Sequence, residues 1–497
     1  MSEDKNNEGI AAYMGVSAPE TPKYLLTNNF LLEYFKPPKG TARIYEFEKF
    51  VNDDVLYTED AENEQLLQKS FNRFLERYLG EEIIREGNHR LSKNKHYYFP
   101  LVKEMLTGST NTLRHLLYHL QVLDKEFDYK DMQTKLENYI FNDSSGINYL
   151  LKILLKSSNE NIRCPRRMSE AETKDFWNML SPAENSRMEK LGARLNADLN
   201  ILLTHEYFHK LDFYRRYNYL SVLLTSYVIQ YIVCRKGANA SMLCKGNPQD
   251  ERLSMMFHRA CCNNYNDIRS LFPELLRKYY NNIIKRRIGR DKDELKLEVK
   301  DDSVWIEGVP FSEFVANLSA GHKAMTALGC RQIVDAFALH DEGEKSILID
   351  EFVLRYIDMT GTRKGSTLIK ISSVLPTSGR QIEMVFPNTN ARNKFFAMST
   401  GLAEFYVRLY LAGKDQKYDY LDNFIEHLQN RYRILLVKSE DGDKMLKNIR
   451  PKLSAKDFSK NKEAFRDTLN NANCLIKLSD SGYVIALPEE KGDLRLV

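Results

Sequence analysis

One segment constrains this chain more than any other. The helix predicted through Ser221–Cys234 is apolar almost all the way round. Leu220–Val233 carries no proline, and its apolar residues recur near the 3.6-residue period of a helix. A helix that is apolar on every face has to be enclosed, by other helices or by lipid. Its apolar runs fall far short of the roughly 20 residues that cross a bilayer. The reading is therefore a buried central helix wrapped by protein, not a membrane segment. Ile147–Lys156, Glu170–Leu180 and Glu189–Leu203 are also proline-free and periodic, so residues 146–290 read as one helical domain. RCPRR (163–167), SPAEN (181–185) and KGNPQDE (245–251) mark its loops, with Pro182 placed to occupy the first helical position after Ser181.

The chain has 497 residues, 43% hydrophobic and 28% charged. That length suits about three or four domains, and the composition excludes disorder along the whole chain. The opening MSEDKNNEGI is too polar for a secretory leader. Seven cysteines contain no CxxC pair. Adjacent Cys261 and Cys262 diverge on a helix, so the expectation is reduced, buried thiols in a cytoplasmic protein. Lys and Arg number 72 against 68 Asp and Glu, a net charge of +4. This permits nucleic-acid binding only where the cations cluster.

The other modules follow from changes in texture. Residues 1–20 read as a flexible tail. Residues 21–145 read as an N-terminal mixed α/β module, with a helix in Asn63–Leu79 and a short strand in His96–Leu101, a pattern compatible with a winged unit. A charged linker, DKDELKLEVKDD, occupies 291–302. Residues 303–416 read as an α+β module. In it, Ser366–Val374 and Gln381–Val385 alternate as strands about a turn at Pro376–Gly379, and Asn388–Ala412 reads as a helix. In 417–497, helices at Tyr418–Arg431 and Lys456–Leu469 precede strands Cys474–Lys477 and Tyr483–Leu487. Two helices followed by a hairpin predict a winged helix-turn-helix, with Phe424, Leu428, Phe465, Leu469, Leu475 and Val484 as its core. The fold class is thus mainly α with small β elements, in several modules. No repeat of fixed period is visible.

Two kinds of chemistry stand out. His205-Glu206-Tyr207-Phe208-His209 matches HExxH. On a helix, His205 and His209 would face one way and hold zinc, with Glu206 as base for a bound water. A third ligand is needed, and the position the extended motif reserves for it is Arg215. The competing reading is structural, with Tyr207, Phe208 and Leu211 packed inward. The second kind is basic. RKYYNNIIKRRIGR carries Arg277, Lys278, Lys285, Arg286, Arg287 and Arg290 with no acidic residue, and Tyr279 and Tyr280 interleaved. Cations neutralise phosphates and tyrosines stack on bases. Arg163, Arg166 and Arg167 crowd another loop. Arg363 and Lys364 lie in the glycine-flanked GTRKGS, and Lys456 and Lys460 on the second helix of the C-terminal unit. There is no GxxxxGK[ST] or GxGxxG.

GTRKGS (361–366), FIEHLQNRYRILL (424–436) and NKEAFRDTLNNANCLIKLSDSGYVI (461–485) give residues 300–490 a diffuse resemblance to accessory proteins of bacterial anti-phage operons. These are the non-ATPase components of phosphorothioation-dependent restriction systems and similar proteins of methylation-associated defence. The resemblance implies a partner of a helicase-like ATPase acting on invading DNA, and it transfers no catalytic residue. The expectation is a DNA-binding or scaffold subunit without enzymatic activity, cofactor or membrane attachment. The alternative is a zinc peptidase centred on His205, Glu206 and His209.

Overall fold

A computed structural model describes residues 26–27, 30–31, 34, 113–141, 180–275, 297–300, 303–306, 309–310, 372–387, 393–438, 451–478 and 482–490. The first helices are α1 (Leu113–Val122), α2 (Tyr129–Phe141), α3 (Pro182–Thr204), the single turn α4 (Glu206–His209) and α5 (Phe213–Lys236). Strand β1 (Met242–Lys245) leads to α6 (Met255–Arg269), and β2 (Leu297–Lys300), β3 (Ser303–Ile306) and β4 (Val309–Pro310) form an antiparallel meander. Then come α7 (Val374–Gln381), β5 (Val385–Phe386), β6 (Phe395–Ala397) and α8 (Thr400–Lys414). The chain continues through β7 (Tyr418–Tyr420), α9 (Leu421–Tyr432), β8 (Ile434–Leu435), α10 (Ala455–Asn471), β9 (Leu475–Lys477) and β10 (Tyr483–Ala486). The described fold is mainly helical with small β elements, as expected.

α5 is the buried axis. Every residue from Tyr219 to Arg235 is buried. Several of its polar side chains are engaged inside the protein, whereas the buried Thr225 hydroxyl has no hydrogen-bond partner. Ser221 accepts from Thr27 at 2.8 Å and donates to the Tyr217 carbonyl at 2.9 Å. Gln230 donates to the Tyr432 carbonyl at 2.5 Å, and Arg235 donates to the Tyr231 hydroxyl at 2.6 Å. α3 packs along α5 and touches α1, α2 and α8. Its start obeys the sequence: Pro182 opens the helix, and Ser181 and Glu184 close a reciprocal capping box.

Two sheets flank this bundle. One has the order β5-β6-β1-β8, with β1 parallel to both neighbours. The other has the order β7-β10-β9 and is antiparallel throughout. Each receives a hairpin after a helix, built to one pattern. Glu383 and Asn473 follow α7 and α10 with φ near 54° and 55°. Met384 N–H then bonds the Gly379 carbonyl at 2.7 Å, and Cys474 N–H bonds the Leu469 carbonyl at 2.8 Å. Ala397 N–H meets the Met384 carbonyl, and Ala486 N–H the Cys474 carbonyl, both at 3.0 Å. The left-handed residue reverses the chain and satisfies the last carbonyls of the helix. The sequences share no readable period here, since only hydrogen bonds and backbone angles repeat.

Several expectations change. Val374–Gln381 is a helix, not a strand and turn. Pro376 lies in its first turn, where an amide proton is not needed. Gly379 lets strand β5 close in, because a Cβ there would lie 2.2 Å from Val385 Cγ2. Residues 366–371 of the expected strand lie outside the described residues. Within the predicted helix Asn388–Ala412, Phe395–Ala397 is a strand and α8 starts only after the cap Ser399. Tyr418–Tyr420 is likewise a strand, and α9 starts at Leu421. The N-terminal helix at 63–79 and strand at 96–101 lie outside the described residues.

The boundary at 416/417 is crossed by a continuous core. Leu199, Tyr227, Tyr406, Phe424, Phe465 and Ile485 belong to one buried cluster. Phe424, Leu428, Phe465 and Leu469 are buried as expected and Leu475 packs against them, whereas Val484 is buried outside that cluster. The strand β8, from within the C-terminal segment, completes the sheet of the preceding module.

Candidate functional site

The HExxH residues do not share one helix. α3 ends at Thr204, His205 is extended with φ −79° and ψ 140°, and α4 starts at Glu206. His205 Nδ1 accepts the Tyr207 amide at 3.2 Å, and its Nε2 lies 3.4 Å from the Asp415 carboxylate. His209 Nε2 donates to the Leu203 carbonyl at 2.7 Å. Glu206 is exposed and pairs with Lys210 at 3.0 Å. Each side chain of the motif therefore has a local partner. Tyr207 and Phe208 are buried, and Tyr139 meets the His209 ring edge-on at 5.5 Å. Among the described residues no group of three or more His, Cys, Asp or Glu side chains is placed to hold a metal ion.

The five described cysteines are all buried. Cys261 and Cys262 lie in one buried cluster with Phe257 and Phe395, and Cys262 Sγ lies 3.6 Å from His258 Nε2. Lys245 is buried at the end of β1, its ammonium 4.8 Å from the centre of the Phe395 ring, and His258 packs on the same ring at 5.0 Å. Burial pulls the Lys245 amine down and pushes the Cys262 thiol up. The thiol is thus held protonated, which argues against nucleophilic use. Sequence reasoning missed this group because its members come from three separate elements.

α10 joins the two sheets. Its inward face carries Phe458, Asn461, Ala464, Phe465, Thr468 and Leu469. Asn461, fully buried, donates to the carbonyls of Cys244 at 2.8 Å and Leu436 at 2.9 Å, and accepts the Gly246 amide at 2.8 Å. Thr468 donates to the Gly246 carbonyl at 2.8 Å. Gly246 touches the helix backbone: a Cβ there would lie 2.4 Å from Phe465 N and 2.5 Å from Asn461 O.

The cations of α10 are mostly occupied. Lys460 donates to the Arg252 carbonyl at 3.3 Å. Lys462 pairs with Asp422, and Arg466 lies 3.8 Å from Glu463 and 4.8 Å from the Tyr483 ring centre. Lys456 is exposed, and so are Glu463 and Asp467 on the same helix. Arg277, Lys278, Lys285, Arg286, Arg287 and Arg290 lie outside the described residues, as do Arg363, Lys364, Arg163, Arg166 and Arg167. Of the cations named from the sequence as nucleic-acid contacts, Lys456 and Lys460 lie among the described residues.

On β7, Tyr418 and Tyr420 are 51% and 59% exposed and share one side of an edge strand. Among the described residues no helix is long and apolar enough to cross a membrane. Comparisons with protein-family models, curated proteins and solved structures return no match.

Proposed function

We propose that this chain is a scaffold subunit of a bacterial anti-phage assembly that acts on DNA with an ATPase partner. In this reading its C-terminal unit is a winged helix used for protein contact. The element order supports the winged reading: helix α8, strand β7, helix α9, helix α10 after the short strand β8 that pairs with β1, then the β9–β10 hairpin, with strands ordered β7-β10-β9. The observation that carries the protein-contact reading is the state of α10. A helix that reads a major groove presents cations and donors outward. Here Lys460, Lys462 and Arg466 are engaged within the chain, and the outer strip mixes Lys456 with Glu463 and Asp467. The resemblance over 300–490 supports the biological setting. The zinc-peptidase alternative draws no support from the separated, locally bonded His205 and His209.

The test is affinity purification of the tagged full chain from its native host, repeated with Lys456→Glu and Ser459→Glu together. Co-purification of an ATPase, lost in the double variant while DNA affinity is retained, is the expected result. Loss of DNA affinity with the ATPase still bound would overturn the protein-contact reading of α10.

A further inference from the structure

We infer that Lys245 is a covalent capture site for small aldehydes, which its amine takes up as an imine. The chemistry is independent of the scaffold reading. It starts from a buried cation without a counter-ion. Arg235, Lys245 and Arg408 are all buried. Arg235 has Glu184 at 3.7 Å, and Arg408 has Glu404 at 3.4 Å. Lys245 has neither a hydrogen bond nor an ion pair among the described residues. Its ammonium lies against Phe395, 4.8 Å from the ring centre. Asp250 acts on the amine electrostatically, but its carboxylate is engaged by Arg252, whose Nε lies 3.0 Å from each oxygen.

The other titratable groups at this ring favour their uncharged forms. His258 packs on Phe395 at 5.0 Å, and Cys262 Sγ lies 3.6 Å from His258 Nε2. Burial, and then the charge of Lys245, hold the His258 imidazole below its usual value, and burial holds the Cys261 and Cys262 thiols above theirs. Lys245 follows Leu243 by two residues, on the side of β1 that meets the apolar cluster of Phe257, Phe395 and Leu435. A buried ammonium without a counter-ion is costly, and such a group gives up its proton instead. Burial accordingly lowers the Lys245 amine. The free amine has the lone pair that a protonated lysine lacks. Its nitrogen bonds the aldehyde carbon while one of its protons passes to the carbonyl oxygen. The second proton leaves with that hydroxyl as water, and the nitrogen lone pair closes the C=N bond. One amine and one aldehyde thus become one imine and one water, and the neutral imine suits the apolar wall better than the ammonium. Access sets the size of the substrate. Lys245 is 6% exposed and His258 is half-buried, so the amine lies just under the surface, within reach of a small aldehyde and not of a bulky acyl donor.

The test treats the full chain at neutral pH with acetaldehyde and cyanoborohydride, which reduces each imine to a stable secondary amine. Peptide mass spectrometry follows the rates at Lys245 and at the exposed Lys456. Lys245 should be trapped about tenfold or more ahead of Lys456, because each unit by which an amine is lowered gives about ten times more free base. The lead should vanish in urea, where both side chains meet water. His258→Asp places a carboxylate at the Phe395 ring and should hold the amine protonated, removing the lead, whereas the uncharged His258→Gln should keep it. Thermal melting of both variants identifies the chains that fold. If Lys245 in the folded wild-type chain reacts no faster than Lys456, the inference is overturned. A lead that persists in urea, or in a folded His258→Asp chain, overturns it as well, since the lead then owes nothing to an uncharged buried amine.

Discussion

Asp198 on α3 and Arg431 on α9 form a salt bridge across the seam between the helical bundle and the C-terminal segment. Arg431 Nε donates to the carboxylate at 3.0 Å, and the hydroxyls of Tyr227 and Tyr432 donate to it at 2.6 and 2.7 Å. Asp198 is 1% exposed. Removing one partner of such a pair leaves the other buried and uncompensated, at a cost of about 3–5 kcal/mol. Arg431→Ala should therefore lower stability by that order in urea titration. Arg431→Ala/Asp198→Asn should recover part of the loss. A change under about 1 kcal/mol in the single variant would show that the seam is wet.

The same seam bears on truncation. Deleting residues 417–497 strips α9 and α10 from the common core and strands Asp198 and Gln230. The shortened chain should aggregate on expression. A well-folded, monomeric product by circular dichroism and gel filtration would establish 417–497 as a separable domain.

His427 makes stability depend on pH. Burial first, then the charges of Arg431 and Lys414, pull its imidazole down to about 4. Tyr410 and Tyr432 pack on the ring at 4.6 and 5.7 Å. The unfolded chain protonates this group near pH 6.5 and the folded chain near 4, so between those values the unfolded state binds more protons. The contribution of His427 is complete above pH 6.5 and is lost as pH falls towards 4. The slope of melting temperature against pH in that window should flatten in His427→Gln. An unaltered slope would assign the acid sensitivity elsewhere.

Two glycines should respond oppositely to alanine. At Gly246 an added Cβ meets backbone atoms of α10, so Gly246→Ala should destabilise by about 1–3 kcal/mol or more. At Gly401, in the first turn of α8, nothing lies within 4 Å of the added carbon. Gly401→Ala should stabilise by roughly 0.5–1 kcal/mol through the restricted unfolded chain. Paired urea titrations check both signs.

Glu206→Gln should leave stability within about 0.5 kcal/mol, because an exposed i,i+4 pair with Lys210 contributes little. Purified protein should carry no stoichiometric zinc by elemental analysis. Zinc near one per chain, lost in His209→Ala, would restore the metal reading.

Much of the helical frame was legible in the sequence. Ser181 and Pro182 announced α3, and the apolar sides of Leu220–Val233 announced the buried axis. Short strands were not legible. Tyr418–Tyr420 lies in a stretch whose apolar spacing also fits a helix, and only pairing with β10 settles it. The helix α7 was hidden by Pro376 and Gly379, residues that read as a turn until the cap position and the Val385 contact are known. The HExxH residues do not lie on one helix for a backbone reason that the sequence does not show: His205 leaves the helical conformation.

The parallel strand β1 sets the timetable of biosynthesis. Its neighbours are Phe396 and Ile434, and Asn461 seals its end across a separation of 217 residues. A ribosome that has just released β1 holds a strand with both edges open and an apolar helix behind it. Nothing downstream closes them until β6 and β8 emerge, since Phe396 lies 152 residues beyond its partner Cys244 and Ile434 lies 192 residues beyond its partner Met242. Over that interval the nascent chain carries an open apolar strand and is a client for holding chaperones.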